Sequence, residues 1–314
     1  MLFPLQHNRP HWLTPVVAPI MVTTIPRIDE KASFGMRLGY NTNGTTGHRW
    51  EQAIELMAEI GYRSVAITVD HSCLDPFSTG LSGELNRMRR LLERFEMTSV
   101  VETGTRFLLD PRRKHEPTLV SSSAEDREIR VDFLKRCINI ARELNSEAVS
   151  FWSGTVRDNV SPIEALRWLA DGCHSVLDFA HQFGIRLAFE PEPGMLVQTF
   201  DDYRNLLSLV DGPGFGLTVD IGHVHCLEPR PISDYLTEWR DRIFTIHIED
   251  MRRGIHDHLR FGEGTIDFLP VLKTLKALKY AGSLNVELSR HSHMAPEVMR
   301  ESFDFLNRRL RDVD

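Results

Sequence analysis

The residues whose types could do chemistry are three carboxylates and one imidazole, each at the end of a short apolar run. Glu190 lies in AFEPEPG, Asp220 in LTVDIGH, His247 in FTIHIED and Glu287 in LNVELS. An Asp is uncommon inside a buried strand, but the carboxyl ends of parallel strands are where α/β enzymes place reacting groups. In a closed barrel such ends meet at one face. We therefore expect these four side chains to converge.

Their convergence predicts a bound divalent cation. Three carboxylates in one place repel each other, and burying their charge without compensation is costly. A metal removes that conflict, and this mixed oxygen and nitrogen set suits Mn, Mg or Co at least as well as Zn. Taken singly, Asp220 could cap a turn, His247 could be a hydrogen-bonded core histidine, and Glu287 could pair with Arg290. We favour the metal site because the four residues end four successive strands.

The elements that must position these residues are apolar runs alternating with amphipathic stretches. We read eight strands, which begin at Met36, Ser64, Thr98, Ala148, Arg186, Phe215, Ile243 and Ser283. Between them, stretches such as WEQAIELMAEIG have apolar residues at helical spacing, and helices are expected to end at Gly61 and Gly184. Eight strands alternating with eight helices predict an α/β fold, a single-domain (β/α)8 TIM barrel. A doubly wound sheet is the alternative.

Composition limits the class of protein and its partners. The chain has 314 residues, of which 41% are hydrophobic, enough for a large core. We expect residues 34–314 to form the barrel and the proline-rich residues 1–33 to be an extension that packs under it or crosses to a neighbour in a homo-oligomer. The formal net charge of -7 disfavours nucleic acid as a partner. The absence of a membrane-length apolar stretch and the four unpaired cysteines predict a cytoplasmic protein with no membrane partner.

The Glu, DxGH, His and Glu that end strands five to eight resemble the xylose isomerase-like TIM barrel superfamily. This superfamily includes ketose 3-epimerases, hydroxypyruvate isomerases, inosose dehydratases and endonuclease IV. For the epimerase branch, the resemblance implies that Glu190 and Glu287 touch both the metal and the substrate carbon, one removing a proton and the other returning it. Asp220 and His247 would be ligands only. The resemblance further implies that His223 and Arg253 contact the substrate.

The function we expect is that of a metal-dependent isomerase or epimerase of a sugar, keto-sugar or polyol, with proton transfer next to a carbonyl through an ene-diolate. Dehydration of a keto-polyol is a close variant. At other strand ends, Glu102, Thr103 and Arg106 are expected to line a polar pocket, with a salt bridge at the barrel rim as the alternative. Trp152 is expected to stack on a sugar face or to plug the barrel.

Other residues point toward a multi-zinc phosphoesterase of the endonuclease IV kind. The run HDHLRFGEG resembles the loop after strand seven of that enzyme, and His223, His256 and His258 could hold a second metal, a zinc with one open position. We favour a solvated loop there, because His256 replaces an acidic residue of that pattern. His71, after strand two, could supply an imidazole or contact the substrate. Glu102 stands where that family has another zinc histidine, which speaks against the nuclease.

Overall fold

The predicted barrel strands are present and run parallel to one another. The computed structural model describes residues 35–313, so the predicted extension, residues 1–33, lies outside the described residues. The strands are β1 (Arg37–Asn41), β2 (Ser64–Thr68), β3 (Thr98–Glu102), β4 (Val149–Phe151), β5 (Leu187–Phe189), β6 (Phe215–Asp220), β7 (Ile243–Ile248), β8 (Asp250–Arg252), β9 (Ile255–Leu259) and β10 (Ser283–Val286). All but β8 and β9 close a barrel in the order β1-β10-β7-β6-β5-β4-β3-β2. The prediction of a TIM barrel is confirmed, and the doubly wound sheet is wrong.

Helices surround the barrel and connect its strands. They are α1 (Trp50–Ile60), α2 (Leu81–Arg94), α3 (Ala124–Leu144), α4 (Pro162–His181), α5 (Phe200–Leu207), α6 (Ile221–Leu227), α7 (Ile232–Glu238), α8 (Phe268–Ala277) and α9 (Ala295–Arg311). The described chain thus has one α-helix more than predicted, because α6 and α7 both lie between β6 and β7. Within residues 35–313, no helix is long and apolar enough to cross a membrane.

Capping residues fix where several helices begin. The Ser123 hydroxyl accepts a hydrogen bond from the backbone N–H of Asp126 at the start of α3. At α5, Thr199 and Asp202 bond to each other's backbone N–H groups in a capping box. Such caps satisfy N–H groups that have no partner inside the helix. These caps therefore set the first residues of α3 and α5.

Each barrel strand alternates between a face toward the helices and a face toward the interior. In β6, Leu217 and Val219 pack in the apolar core, whereas the Thr218 hydroxyl donates to Ser150 Oγ on β4 at 2.8 Å. Side chains two positions apart on a strand share a face, so Asp220 points inward as Thr218 does. The site residues therefore lie above a layer of small hydroxyl side chains.

Gly61 ends α1 in a conformation that disfavours any other residue, with φ of 122°. A Cβ atom there would lie 2.5 Å from the ring of Phe303. We expect Gly61→Ala to lower the free energy of unfolding by about 2–4 kcal/mol, because backbone strain and overpacking add.

Gly184→Ala is the matched control for this substitution. Gly184 also has a positive φ, 67°, but within residues 35–313 no atom lies within 4 Å of its Cβ position. Gly184→Ala should lower the free energy of unfolding through backbone strain alone, by about 1–2 kcal/mol. Urea unfolding compares the two variants, and equal losses would contradict the steric part of the argument.

Candidate functional site

Four side chains at the carboxyl ends of β5, β6, β7 and β10 come together. Glu190, Asp220, His247 and Glu287 each offer one donor atom, and these atoms all lie within 4.8 Å of one another. The Nδ1 atom of His247 is 2.8 Å from Oε2 of Glu287 and 3.2 Å from Oε1 of Glu190. We call these residues the four-donor group. All of its side chains are buried or nearly so.

Local hydrogen bonds orient two of its carboxylates. Asp220 caps α6, because its Oδ1 accepts a hydrogen bond of 2.8 Å from the backbone N–H of His223. Its Oδ2 is buried and has no hydrogen-bond partner among residues 35–313. Asn43, which follows β1, donates from its side-chain amide to Oε1 of Glu287 at 2.7 Å. In each carboxylate one oxygen is thus oriented by an N–H donor, whereas the other, Oδ2 of Asp220 or Oε2 of Glu287, faces the four-donor group.

Glu102 holds His247 from the opposite side of the barrel. Its strand, β3, is four strands from β7 in either direction, yet Oε1 of Glu102 lies 3.0 Å from Nε2 of His247. A neutral imidazole that donates its Nε2 proton to Glu102 keeps the lone pair of Nδ1 directed at the four-donor group. A carboxylate in such a position fixes the tautomer and the ring orientation of a metal-binding histidine.

The charges in this group shift one another's pKa values. Burial disfavours a charged imidazole at His247, but Glu102, Glu190 and Glu287 together outweigh burial and raise its pKa well above the usual value. Burial raises the pKa of Glu190 to about 7, although His247 opposes it. Burial acts in the same direction on Glu287, but His247 outweighs it and lowers that pKa. A single imidazolium thus compensates several carboxylates, and a cation would relieve the remaining negative charge.

The hairpin of β8 and β9 brings two imidazoles against a third. The ring centroids of His256 and His258, both on β9, lie 4.7 Å and 5.6 Å from that of His223. One nitrogen from each ring lies within 4.8 Å of the others, and in the described chain neither nitrogen of His223 has a hydrogen-bond partner. We call these three residues the histidine group. The expectation of a solvated loop is wrong, because antiparallel pairing folds the segment back and leaves the His258 side chain 12% exposed.

Glu249 links the two groups. Its donor atom lies within 4.8 Å of those of Asp220 and His258. The side chain is fully buried, and neither of its oxygens has a hydrogen-bond partner within the part of the chain described. Burial, together with the charge of Asp220, raises the pKa of Glu249 well above the usual value. Gly222 makes room for it, since a Cβ atom there would lie 2.0 Å from Oε1 of Glu249.

A cavity of about 230 Å³ adjoins the four-donor group. Glu190, His247 and Glu287 form part of its wall, whereas Asp220 lies behind them. Five other residues predicted to line a site also line the cavity: Glu102, Arg106, Trp152, His256 and His258. The cavity therefore connects the four-donor group to the hairpin and to the ends of β3 and β4.

Two residues predicted to contact the substrate lie away from this cavity. The His71 side chain is 78% exposed and pairs with Asp70 at 2.7 Å. Arg253 donates to the carbonyl oxygens of His225 and Glu228 at 3.0 and 2.7 Å. Carbonyl oxygens at the end of a helix have no partner inside it and attract cations, so Arg253 closes the end of α6.

Four other residues named in the sequence analysis differ in where their side chains lie. His223 stands behind the cavity wall with Asp220 rather than in it. Arg106 lines the cavity, whereas the Thr103 hydroxyl donates to the backbone of Ser150 at 2.8 Å. Arg290 pairs with Asp257 and not with Glu287, so the alternative that a surface ion pair explains Glu287 is wrong.

Sequence reasoning missed Asn43, Glu192 and Glu249. Glu192 lines the cavity, and burial, followed by the charge of Glu190, raises its pKa. Both glutamates lie two positions after a predicted site residue, in EPE and HIE. Alternate residues of an extended chain share a face, so this spacing is a signal that could have found them. Asn43 lies in a turn, where no such periodicity exists.

Comparisons with known proteins agree with the architecture. The sequence profile of a family described as Xylose isomerase-like TIM barrel matches residues 54–309. Among curated proteins, the L-ribulose-5-phosphate 3-epimerase UlaE of Shigella flexneri serotype 5b is 24% identical over 246 residues, which cover 77% of this chain and 83% of that protein.

Solved structures resemble the chain at low sequence identity. The IOLI protein with a bound zinc atom has a TM-score of 0.72 and 17% identity, covering 89% of this chain and 99% of that one. A D-allulose 3-epimerase from Methylomonas sp. has a TM-score of 0.71 and 16% identity, covering 88% and 99%. At these identities the likeness establishes the fold.

Replacing Glu102 should change the titration of His247. We expect Glu102→Gln to lower the pKa of His247 in the metal-free protein by about one unit or more, since it removes a carboxylate 3.0 Å from Nε2. Imidazole signals of ¹⁵N-histidine-labelled protein report the titration, and His247→Gln assigns the signal. Glu59→Gln, at an exposed position of α1, is the charge-matched control. An unchanged pKa would show that Glu102 does not act on His247.

Proposed function

Because the chain belongs to the xylose isomerase-like TIM barrel family, we propose that it is a divalent-metal-dependent isomerase or epimerase of a sugar, keto-sugar or polyol. A curated relative and a structural neighbour, both named as ketose 3-epimerases, support this substrate class. The concave cavity of about 230 Å³ suits a small molecule, and the acidic groups around it are unfavourable for nucleic acid.

The cation would be held by the four-donor group. Three observations support the fit: the donor atoms lie within 4.8 Å of one another, Oδ2 of Asp220 is buried without a hydrogen-bond partner among residues 35–313, and Glu102 orients His247. Carboxylate oxygens with one imidazole suit Mn²⁺, Mg²⁺ or Co²⁺, and Zn²⁺ is also compatible. When bound, the cation supplies positive charge that stabilises negative charge developing on the oxygens of the substrate.

One observation carries the proposal of proton transfer. Glu190 and Glu287 belong to the four-donor group and also line the cavity, whereas Asp220 belongs to the group and lies behind the wall. Of the three carboxylates in the four-donor group, the two glutamates can therefore reach both a cation and a substrate carbon. One would accept the proton from the carbon next to the carbonyl, and the other would return one.

The pKa values of Glu190 and Glu287 suit one proton donor and one proton acceptor. In the metal-free protein Glu190 has a pKa of about 7, raised by burial, so it can hold a proton near neutral pH. The pKa of Glu287 is lowered, so Glu287 is an ionised acceptor under the same conditions. Two titratable groups whose surroundings separate their pKa values form a pattern typical of acid and base partners. Trp152 offers an apolar wall against which a sugar face would stack.

The alternatives are supported less well. A multi-zinc phosphoesterase needs more imidazoles around the cavity, but His71 is exposed outside it and Glu102 is engaged with His247. The histidine group is a candidate for a second cation, supported by the nitrogens of His223, which have no hydrogen-bond partner among residues 35–313. A keto-polyol dehydratase would use the same proton-transfer carboxylates and remains the nearest variant.

Glu287→Gln tests the proposed reaction. We expect the variant to lose solvent deuterium incorporation into the substrate by about 10²–10⁴-fold, because an amide cannot accept the proton. The measurement is NMR of candidate ketoses incubated in D₂O with the Mn²⁺-loaded protein.

Glu263→Gln is the matched control, because Glu263 is exposed after the hairpin and does not line the cavity. Mn²⁺ binding and circular dichroism of both variants separate loss of the proton acceptor from loss of the cation or the fold. Exchange at the wild-type rate in Glu287→Gln would remove Glu287 from the acid/base role.

Cation binding should compete with protons. The pKa of His247 is raised and that of Glu190 is about 7, so below about pH 7 both hold protons that a cation must displace. The apparent Kd for Mn²⁺ should therefore rise as the pH falls from 8 to 6, by about tenfold for each proton displaced per pH unit. Calorimetry in two buffers of different ionisation enthalpy counts the protons released. Asp220→Asn, which lacks one of the four proposed ligands, measures background Mn²⁺ binding. Binding to the wild-type protein at pH 6 without proton release would contradict the proposal that the cation displaces protons from His247 and Glu190.

A further inference from the structure

The cavity is lined by cations as well as by carboxylates. Beyond the acidic residues described above, Arg106 and Lys114 line it from the segment between β3 and α3, and Arg290 lines it after β10. That first segment leaves the barrel at β3, which is four strands from the His247 strand in either direction. The cations of this segment therefore enter the cavity from the side opposite His247.

Arg106 and His115 close this segment into a loop. The backbone N–H of His115 donates to the carbonyl of Arg106 at 2.5 Å, and the backbone N–H of Arg106 donates to Nδ1 of His115 at 3.1 Å. Both residues are left-handed, with φ of 47° and 66°, which costs about 1–2 kcal/mol for a residue other than glycine. Such strain is typically kept at functional sites, and here it lies where Arg106, Lys114 and His115 all line the cavity.

A further cation is buried behind this loop. The guanidinium carbon of Arg130 lies 4.5 Å from the ring centroid of Trp152, on the cavity wall. Arg130 donates to the carbonyl of Thr103 at 3.0 Å and to the hydroxyl of Thr105 at 3.5 Å, and neither acceptor is charged. Burial lowers its pKa to about 10, so it still carries a charge at neutral pH. Its field adds to that of the two cations on the loop.

The loop cations are only partly neutralised by carboxylates. The guanidinium of Arg106 is 3.6 Å from Asp70, and its other contact is a hydrogen bond to the carbonyl of Asn43. Lys114 is exposed and forms no ion pair within residues 35–313. Arg290, by contrast, already pairs with Asp257. Lys114 and Arg106 are therefore the cations with capacity to bind an anion.

We propose that the substrate carries an anionic group, a phosphate or a carboxylate, remote from its reacting carbon, and that Lys114 and Arg106 bind it. This inference rests on the proposed function, which puts the reacting carbon beside Glu190 and Glu287. Charge-assisted hydrogen bonds from an ammonium and a guanidinium group suit both anions. An anionic group held by the loop cations fixes the orientation of such a molecule, which aligns the reacting carbon with the glutamates.

The test uses three probes that differ at one carbon: D-fructose, D-fructose 6-phosphate and D-fructuronate. Deuterium exchange next to the carbonyl and calorimetric binding are measured with the Mn²⁺-loaded full chain. We expect one or both anionic probes to bind at least about tenfold more tightly than D-fructose. Lys114→Gln should raise KM or Kd for the anionic probe about tenfold with little change in kcat, the pattern for loss of uniform binding. Arg106→Gln should act in the same direction.

Arg112→Gln is the matched control, because Arg112 is an exposed residue of the same loop and does not line the cavity. Preference for the phosphate or for the carboxylate probe identifies the anion. Equal use of all three probes, or equal effects of Lys114→Gln and Arg112→Gln, overturns the proposal that the substrate is anionic. Neither result counts against the proposed isomerase or epimerase function. Binding of an anionic probe that depends on Lys114 but shows no exchange keeps the anion site and counts against proton transfer. Failure of both anionic probes to bind overturns the inference.

Discussion

Repulsion between carboxylates around one imidazole is the constraint on which the site depends. His247 has Glu102 on one nitrogen and Glu190 and Glu287 on the other. Removing any of these charges from water is costly, and the His247 imidazolium offsets part of that cost in the metal-free protein. The rest of the barrel keeps these side chains together in spite of that cost. The excess of negative charge that results would be relieved by a cation among the four donors.

Much of the fold and of the four-donor group could be predicted from the sequence, because both depend on local patterns. Apolar runs and helical spacing reveal strands and helices, and a polar residue at the end of each run marks the rim of the barrel. The same reasoning fails where the position of a side chain depends on which strands pair with each other. The segment with His256 and His258 reads as a loop because its partner, β8, is a strand of three residues that has no pattern of its own. Its folding back turns the predicted solvated loop into a wall of the cavity.

Contacts across the barrel are equally hidden from the sequence. The resemblance fixes how far Arg253 lies from His247 along the chain, but the end of α6 determines where its guanidinium goes. Glu102 is visible as a polar residue at a strand end, yet its bond to His247 joins strands that are never neighbours. Its spacing in the sequence cannot distinguish a residue that touches the substrate from one that orients His247.

The pairing of β1 with β10 closes the barrel, and it also brings an orienting residue to the site. Glu287 directly follows β10, and its hydrogen bond to Asn43 spans 244 residues of sequence. Contacts so distant in sequence form late, because the entropy of closing a long loop must be lost first. Glu287 itself meets His247 through the pairing of β10 with β7, which are close in sequence. Closure of the barrel therefore adds Asn43, the residue that orients the Glu287 carboxylate.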